Sequence, residues 1–177
     1  MNKKKKFFCF LLDKSHSNKS SKIAKFFNKK YNSPIFYNFK KINNFKIVFV
    51  LNYTKILPNF FLKKNELVLI PHSSNLPEDK GFSPIQNQIL KKKNKITISL
   101  VQAIKGCKVD SGPIHLKTNF SLKGHELWEE ITKLSVINDI KIIEKYIKLY
   151  PKIKSTPQKK NGNFNKKRYY LSFSAYF

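Results

Sequence analysis

The sequence predicts an α/β fold, an open and mostly parallel sheet flanked by helices. Apolar runs within residues 6–12, 46–51 and 66–70 have the pattern of strands covered on both faces. Segments with helical spacing fall between and after them, and strands alternating with helices are the order that builds parallel crossover units. The length of 177 residues suits one ordinary domain, and 41% hydrophobic residues suffice for a packed core.

The elements follow in order. Lys6 to Leu12 reads as the first buried strand. The basic start Met1 to Lys6 with Phe7 to Leu12 imitates a signal peptide, yet the apolar run ends at Asp13, short of the ~7–15 residues of such a segment. Ile23, Ala24, Phe26, Phe27 and Tyr31 suggest a short amphipathic helix, which Ser33-Pro34 breaks. Ile35-Phe36-Tyr37 and Lys46 to Leu51 are the next strands, and Pro58 marks a turn or helix start. Glu66 to Ile70 is another buried strand, running into the loop Pro71 to Pro77. Pro84 suits the first position of a helix carrying Ile85, Ile89 and Leu90. Ile96 to Val101 alternates as a strand, and Ile114 to Leu116 begins a second one. Leu122 to Leu134 and Val136 to Tyr150 read as two helices, with Leu127 and Trp128 in helix packing. Residues 1–150 are therefore expected to form the α/β domain. From Pro151 to Phe177, Lys, Asn, Ser and aromatic residues predict a basic tail that is poorly ordered or truncated.

Charge and cysteine content narrow the classes. Lys+Arg 36 against Asp+Glu 10 gives +26, but a single arginine, Arg168, is present, and Lys, Asn, Ile, Phe and Tyr make up 96 of the 177 residues. Their codons are A/T-rich, so base composition competes with a polyanionic partner as the source of the charge. No apolar run approaches the ~20 residues needed to span a bilayer. Cys9 and Cys107 are far apart and no Cys/His cluster occurs, which supports neither a disulfide scaffold nor a metal site and fits a reducing cytoplasm. His125-Glu126 lacks the second histidine of a zinc-protease helix, and His16 and His115 read as surface or strand histidines.

Two chemistry-bearing features stand out. His72 follows a buried strand directly, at the carboxyl edge where open α/β sheets place their ligands. Asp110-Ser111-Gly112 sets a carboxylate at a tight turn between strand-like segments. Together with the rigid loop Leu76-Pro77 to Gly81 and Pro84-Ile85, the stretch His72 to Gln86 resembles the signature of the folate-dependent formyltransferases. His72, Ser74, Leu76, Pro77, Gly81, Pro84 and Ile85 match it in register, and Asp110 stands 38 residues after the histidine, heading an Asp-x-Gly. Tyr53 to Pro58 looks like the family's Tyr-x-x-Ile-Leu-Pro segment, Gly124 to Leu127 like a loop-to-helix entry of one branch, and Phe164 to Arg168 like a last trace of the family's chain.

The resemblance implies a Rossmann-like catalytic domain with a shortened N-terminal part. It implies transfer of a formyl group from 10-formyltetrahydrofolate to a primary amine. The acceptor would be an amino-sugar nucleotide or similar small molecule, with methionyl-tRNA next. By the same resemblance, His72 and Asp110 would be catalytic, and Ser74, Leu76, Pro77, Gly81, Pro84 and Gly112 would line the donor site. A histidine N–H can stabilise the oxyanion that forms when an amine attacks a formyl carbon, and a carboxylate can help remove the amine's proton. Where the family carries asparagine, two positions before the histidine, this chain has Ile70, which donates no hydrogen bond; Asn52 and Asn75 are the nearest amides in sequence. Two alternatives stay open: a non-catalytic or decayed relative that binds without turnover, and a basic module binding nucleic acid through aromatics among lysines, as in Tyr31 to Phe45.

Overall fold

A computed structural model describes residues 6–14, 17–159 and 161–166. His16, Met1 to Lys5 of the signal-like start, Arg168 and the aromatic end of the basic tail lie outside the described residues.

Eight strands and four α-helices occur among the described residues. They are β1 (Lys6–Leu12), α1 (Ser17–Tyr31), β2 (Ile35–Phe36), β3 (Phe45–Leu51), α2 (Asn59–Lys64), β4 (Leu67–His72), β5 (Lys80–Gly81), α3 (Pro84–Leu90), β6 (Lys95–Gln102), β7 (Ile114–Ser121), α4 (Trp128–Leu149) and β8 (Phe164–Asn165). The main sheet runs β2-β1-β3-β4-β6-β7. Its first four strands are mutually parallel, whereas β4 with β6 and β6 with β7 are antiparallel. The α/β class and mostly parallel sheet expected from the apolar runs are therefore present.

Those runs are continuous because both faces of the central strands are covered. Alternate residues of β1, β3 and β4, namely Phe8, Phe10, Leu12, Ile47, Phe49, Leu51 and Leu69, pack under α1 and α4. The intervening Cys9, Leu11, Val48, Val50 and Val68 pack on the opposite side with Phe61 of α2 and Ile42. Side chains alternate across a strand, so two buried faces demand an unbroken apolar string. Phe10 lies between the rings of Phe27 and Phe49, stacked at 5.3 and 5.5 Å. Burial pushes the Cys9 thiol far up, so it remains a neutral core side chain.

Three local expectations change. The two helices expected over 122–134 and 136–150 are one, α4. No glycine or proline interrupts Ser135, which is buried and accepts a hydrogen bond from Lys19 Nζ at 2.6 Å. Residues 122–127 stay outside the helix, because Gly124 has φ +101° and the Glu126 carboxylate ties up the N–H groups of Lys123 and Gly124 at 2.6 and 2.9 Å. Leu127 and Trp128, expected to pack, are 67% and 47% exposed at the start of α4. His115 is more than a strand histidine. It is half-buried, with Nε2 3.0 Å from Gln102 Oε1 and Nδ1 3.2 Å from the Tyr146 hydroxyl.

Contacts with the body of the fold do not stop at the compositional boundary at Pro151. Thr156 bridges Ile114 through hydrogen bonds of 2.8 Å in both directions, and β8 pairs in parallel with β5. The chain thus returns to the carboxyl edge of β4, over the segment His72 to Gly81.

Candidate active site

β4 delivers His72 as its last residue, beside Ser99 of β6. Pleating places residues two apart on one face, so His72 shares its side of the sheet with Ile70, which packs against the cluster around Val48 and Val68. Asp110 arrives from the turn between β6 and β7. It adopts φ +54°, a left-handed conformation that costs a non-glycine residue about 1 kcal/mol or more and persists where surroundings fix it. His72 Nδ1 lies 3.6 Å from Asp110 Oδ2, with the two side chains 9% and 7% exposed. The other ring nitrogen, Nε2, is 3.0 Å from the main-chain carbonyl of Asp79. A carbonyl only accepts, so Nε2 carries the proton of that bond. The pairing of His72 with Asp110 inferred from sequence is thus realised in space.

The remaining residues matched to the signature lie in the segment after β4 and in the turn that carries Asp110. Gly81 donates its N–H to Asp110 Oδ2 at 2.9 Å, aiming the carboxylate towards the imidazole. Gly112 closes the same turn; a Cβ there would stand 1.8 Å from the Gln102 carbonyl oxygen, so no side chain fits. Ser74 is fully buried, its carbonyl accepting from Ser99 Oγ at 2.7 Å while its own hydroxyl has no partner. The Leu76 side chain is fully buried, and its carbonyl accepts from Lys117 Nζ at 2.7 Å. Pro77 packs its carbonyl against Gly162, and Pro84 opens α3 one residue after Ser83. Of the amides nearest in sequence to Ile70, Asn75 is engaged through Oδ1 by Lys117 Nζ at 2.7 Å, and Asn52 lies exposed just after β3 with φ +48°.

Several partners were not found from sequence. Asp79 is fully buried, and its carboxylate takes hydrogen bonds from Lys91 and from the side-chain amides of Asn163 and Asn165, each at 3.1 Å. Burial alone would raise its pKa, but the donors Lys91, Asn163 and Asn165 outweigh it and hold the carboxyl below its ordinary value. Gln88 Nε2 donates to the Ser73 carbonyl at 2.6 Å. Gln158 Nε2 donates to the carbonyls of Asp110 and Gly112 at 2.9 and 2.8 Å. One signal pointed this way: Asn163 and Asn165 are two residues apart, which puts both amides on one face of an extended segment.

Among the described residues, no group of three or more His, Cys, Asp or Glu side chains is placed to hold a metal ion. Nor is any described helix long and apolar enough to cross a membrane. The arrangement combines an imidazole at a sheet edge, a carboxylate oriented by a backbone amide, and a buried hydroxyl without a partner.

No protein-family model matches the chain. Across 111 residues, 61% of its length, it is 33% identical to a methionyl-tRNA formyltransferase of Pelagibacter ubique. Over that stretch the chain is similar to the formyltransferases. It spans 35% of the length of that curated relative. The formyltransferase-like fold extends further than the sequence similarity. A methionyl-tRNA formyltransferase from Clostridium thermocellum superposes with a TM-score of 0.75 at 21% identity, covering 92% of this chain and 73% of its own. A sugar 3N-formyltransferase solved with dTDP and 5-N-formyl-THF gives a TM-score of 0.71 at 18% identity, covering 93% and 70%. An Anoxybacillus kamchatkensis formyltransferase, in complex with a UDP-linked formamido sugar and tetrahydrofolate, gives 0.63 at 17% identity, covering 90% and 85%.

Proposed function

We propose that this chain transfers a formyl group from 10-formyltetrahydrofolate to a primary amine, in the cytoplasm. An amino-sugar nucleotide or similar small molecule is the first acceptor proposed, and methionyl-tRNA the next. The observation that carries this reading is the His72–Asp110 pair, 3.6 Å apart at the carboxyl edge of the sheet. The Ser74 hydroxyl, two residues after His72, is buried without a partner, which supports a polar ligand at this edge of the sheet. When bound, 10-formyltetrahydrofolate supplies the electrophilic formyl carbon.

His72 then offers its Nε2 proton to the formyl oxygen in place of the Asp79 carbonyl, where negative charge develops. Asp110 holds the imidazole from the Nδ1 side and takes up the amine's proton, with Gly81 N–H fixing the carboxylate. Ser74, Leu76, Pro77, Gly81, Pro84 and Gly112 form the donor side of the site. Residues 1–150 carry this machinery, and the segment that follows closes over it.

A second reading, binding without turnover, has a specific observation in its favour. Ile70 stands on the His72 face where the family motif carries asparagine, and the loss of one oxyanion donor costs about 10²–10³ in rate. Thermal-shift titration with a stable 10-formyltetrahydrofolate analogue separates the readings, since a ligand at 100 times its Kd adds about 2.7 kcal/mol of stability. A saturable shift lost in His72→Ala, together with formyl transfer abolished in His72→Ala and Asp110→Ala, is expected. Binding without transfer would favour the second reading, and a cooperative melt with no shift would overturn both.

A further inference from the structure

The turn that carries Asp110 is held from outside the sheet. Gln158, 46 residues beyond Gly112 in the chain, spends both hydrogens of its side-chain amide on this turn, one on the Asp110 carbonyl and one on the Gly112 carbonyl. Both targets are acceptors, which fixes the amide's orientation and leaves Gln158 Oε1 buried without a partner. The segment around it is tied down at both ends, by the Thr156–Ile114 bridge before it and by Asn163 and Asn165 on Asp79 after it.

We propose that Gln158 is a positioning residue for the His72–Asp110 pair: its two donated bonds hold Asp110 in its left-handed conformation and so set the carboxylate's direction. This rests on the formyl-transfer reading above. The chain of contacts is short: Gln158 fixes the Asp110 backbone, Gly81 N–H meets the resulting Oδ2, and the same oxygen faces His72 Nδ1. Released from Gln158, the residue relaxes towards negative φ, and its carboxylate turns away from both partners.

The test compares Gln158→Met, of similar size but without donors, with Gln158→Lys, whose ammonium can serve two carbonyls and removes the orphaned oxygen. In the full chain, kcat for formyl transfer is expected to fall at least tenfold in Gln158→Met with KM for the donor changed less than threefold, and to recover in Gln158→Lys. Independently of turnover, hydrogen exchange at the Gly81 amide is expected to lose at least tenfold protection in Gln158→Met and to regain it in Gln158→Lys. Should Gln158→Met fail to melt cooperatively, Gln158→Leu, also without donors, is read in the same way. Unchanged Gly81 protection in a folded donor-less variant would overturn the positioning role. If the wild-type protein shows no transfer, the functional reading fails alone and the exchange measurement still tests the inference.

Discussion

His72 and Asp79 are joined side chain to main chain, imidazole Nε2 to carbonyl oxygen at 3.0 Å, so the buried loop that covers the histidine also occupies its outward nitrogen. Both ring nitrogens therefore face acceptors, the Asp79 carbonyl on one side and Asp110 Oδ2 on the other. Polarising a substrate oxygen requires that oxygen to take the carbonyl's place. Three predictions address the site and the elements that hold it.

Ile70→Asn places an amide two residues before His72, on the same face of β4. Formyl transfer is expected to rise at least tenfold. Exchanging an apolar side chain that packs on the second core cluster for a partly buried amide should cost about 1–3 kcal/mol. Turnover measured beside a denaturant melt checks both; unchanged turnover with the expected loss of stability would exclude Ile70 as the position that limits the rate.

The Asp79 carboxyl is held below its ordinary value of 3.8 by Lys91, Asn163 and Asn165 against the opposing effect of burial. A depressed folded-state value adds stability that is complete above the unfolded value and disappears as pH falls through the folded one. Thermal melts between pH 2 and 6 should therefore drop steeply below about pH 4. In Asn163→Ala combined with Asn165→Ala, the deficit relative to wild type should be largest near pH 6 and shrink towards pH 2. A deficit that is constant with pH would mean that the amides act only through packing of the segment.

His115 is pushed below its ordinary value of 6.5 by burial, and its neutral form fits both neighbours, donating to Gln102 Oε1 and accepting from Tyr146. Unfolding exposes a ring that binds protons more readily. Stability is complete above about pH 6.5 and is lost progressively as pH falls towards the lower folded-state value. The melting temperature of wild type should fall between pH 7 and pH 5, whereas His115→Gln, lower at pH 8, should lose less over that interval. Equal slopes would assign the acid sensitivity of this range elsewhere.

How much of this was legible in the chain depends on where each cause lies. The apolar strings within β1, β3 and β4 announce strands covered on both sides, because alternation sends consecutive side chains to two buried faces. His72 and Asp110 were legible as a pair through the residues around them, although 38 positions separate them. The single helix α4 was misread at Ser135, a residue neutral in propensity whose hydroxyl is accounted for by Lys19, a partner 116 residues away. Leu127 and Trp128 look like core residues by type, but the turn at Gly124 and Glu126 leaves them exposed at the helix start.

Local order thus supplied the strands and much of the helix spacing, and singled out His72 and Asp110 by residue chemistry, since apolar periodicity and residue chemistry are properties of neighbouring positions. The antiparallel docking of β6 and β7, the burial of Asp79, and the return of Gln158, Asn163 and Asn165 over the site lay beyond it. Composition marked residues after 151 as a basic tail, because polar side chains in a short segment carry no periodicity of their own. The hydrogen bonds that tie Thr156, Gln158, Asn163 and Asn165 to the rest of the fold span 42 to 86 residues, and only the folded chain brings these groups within reach.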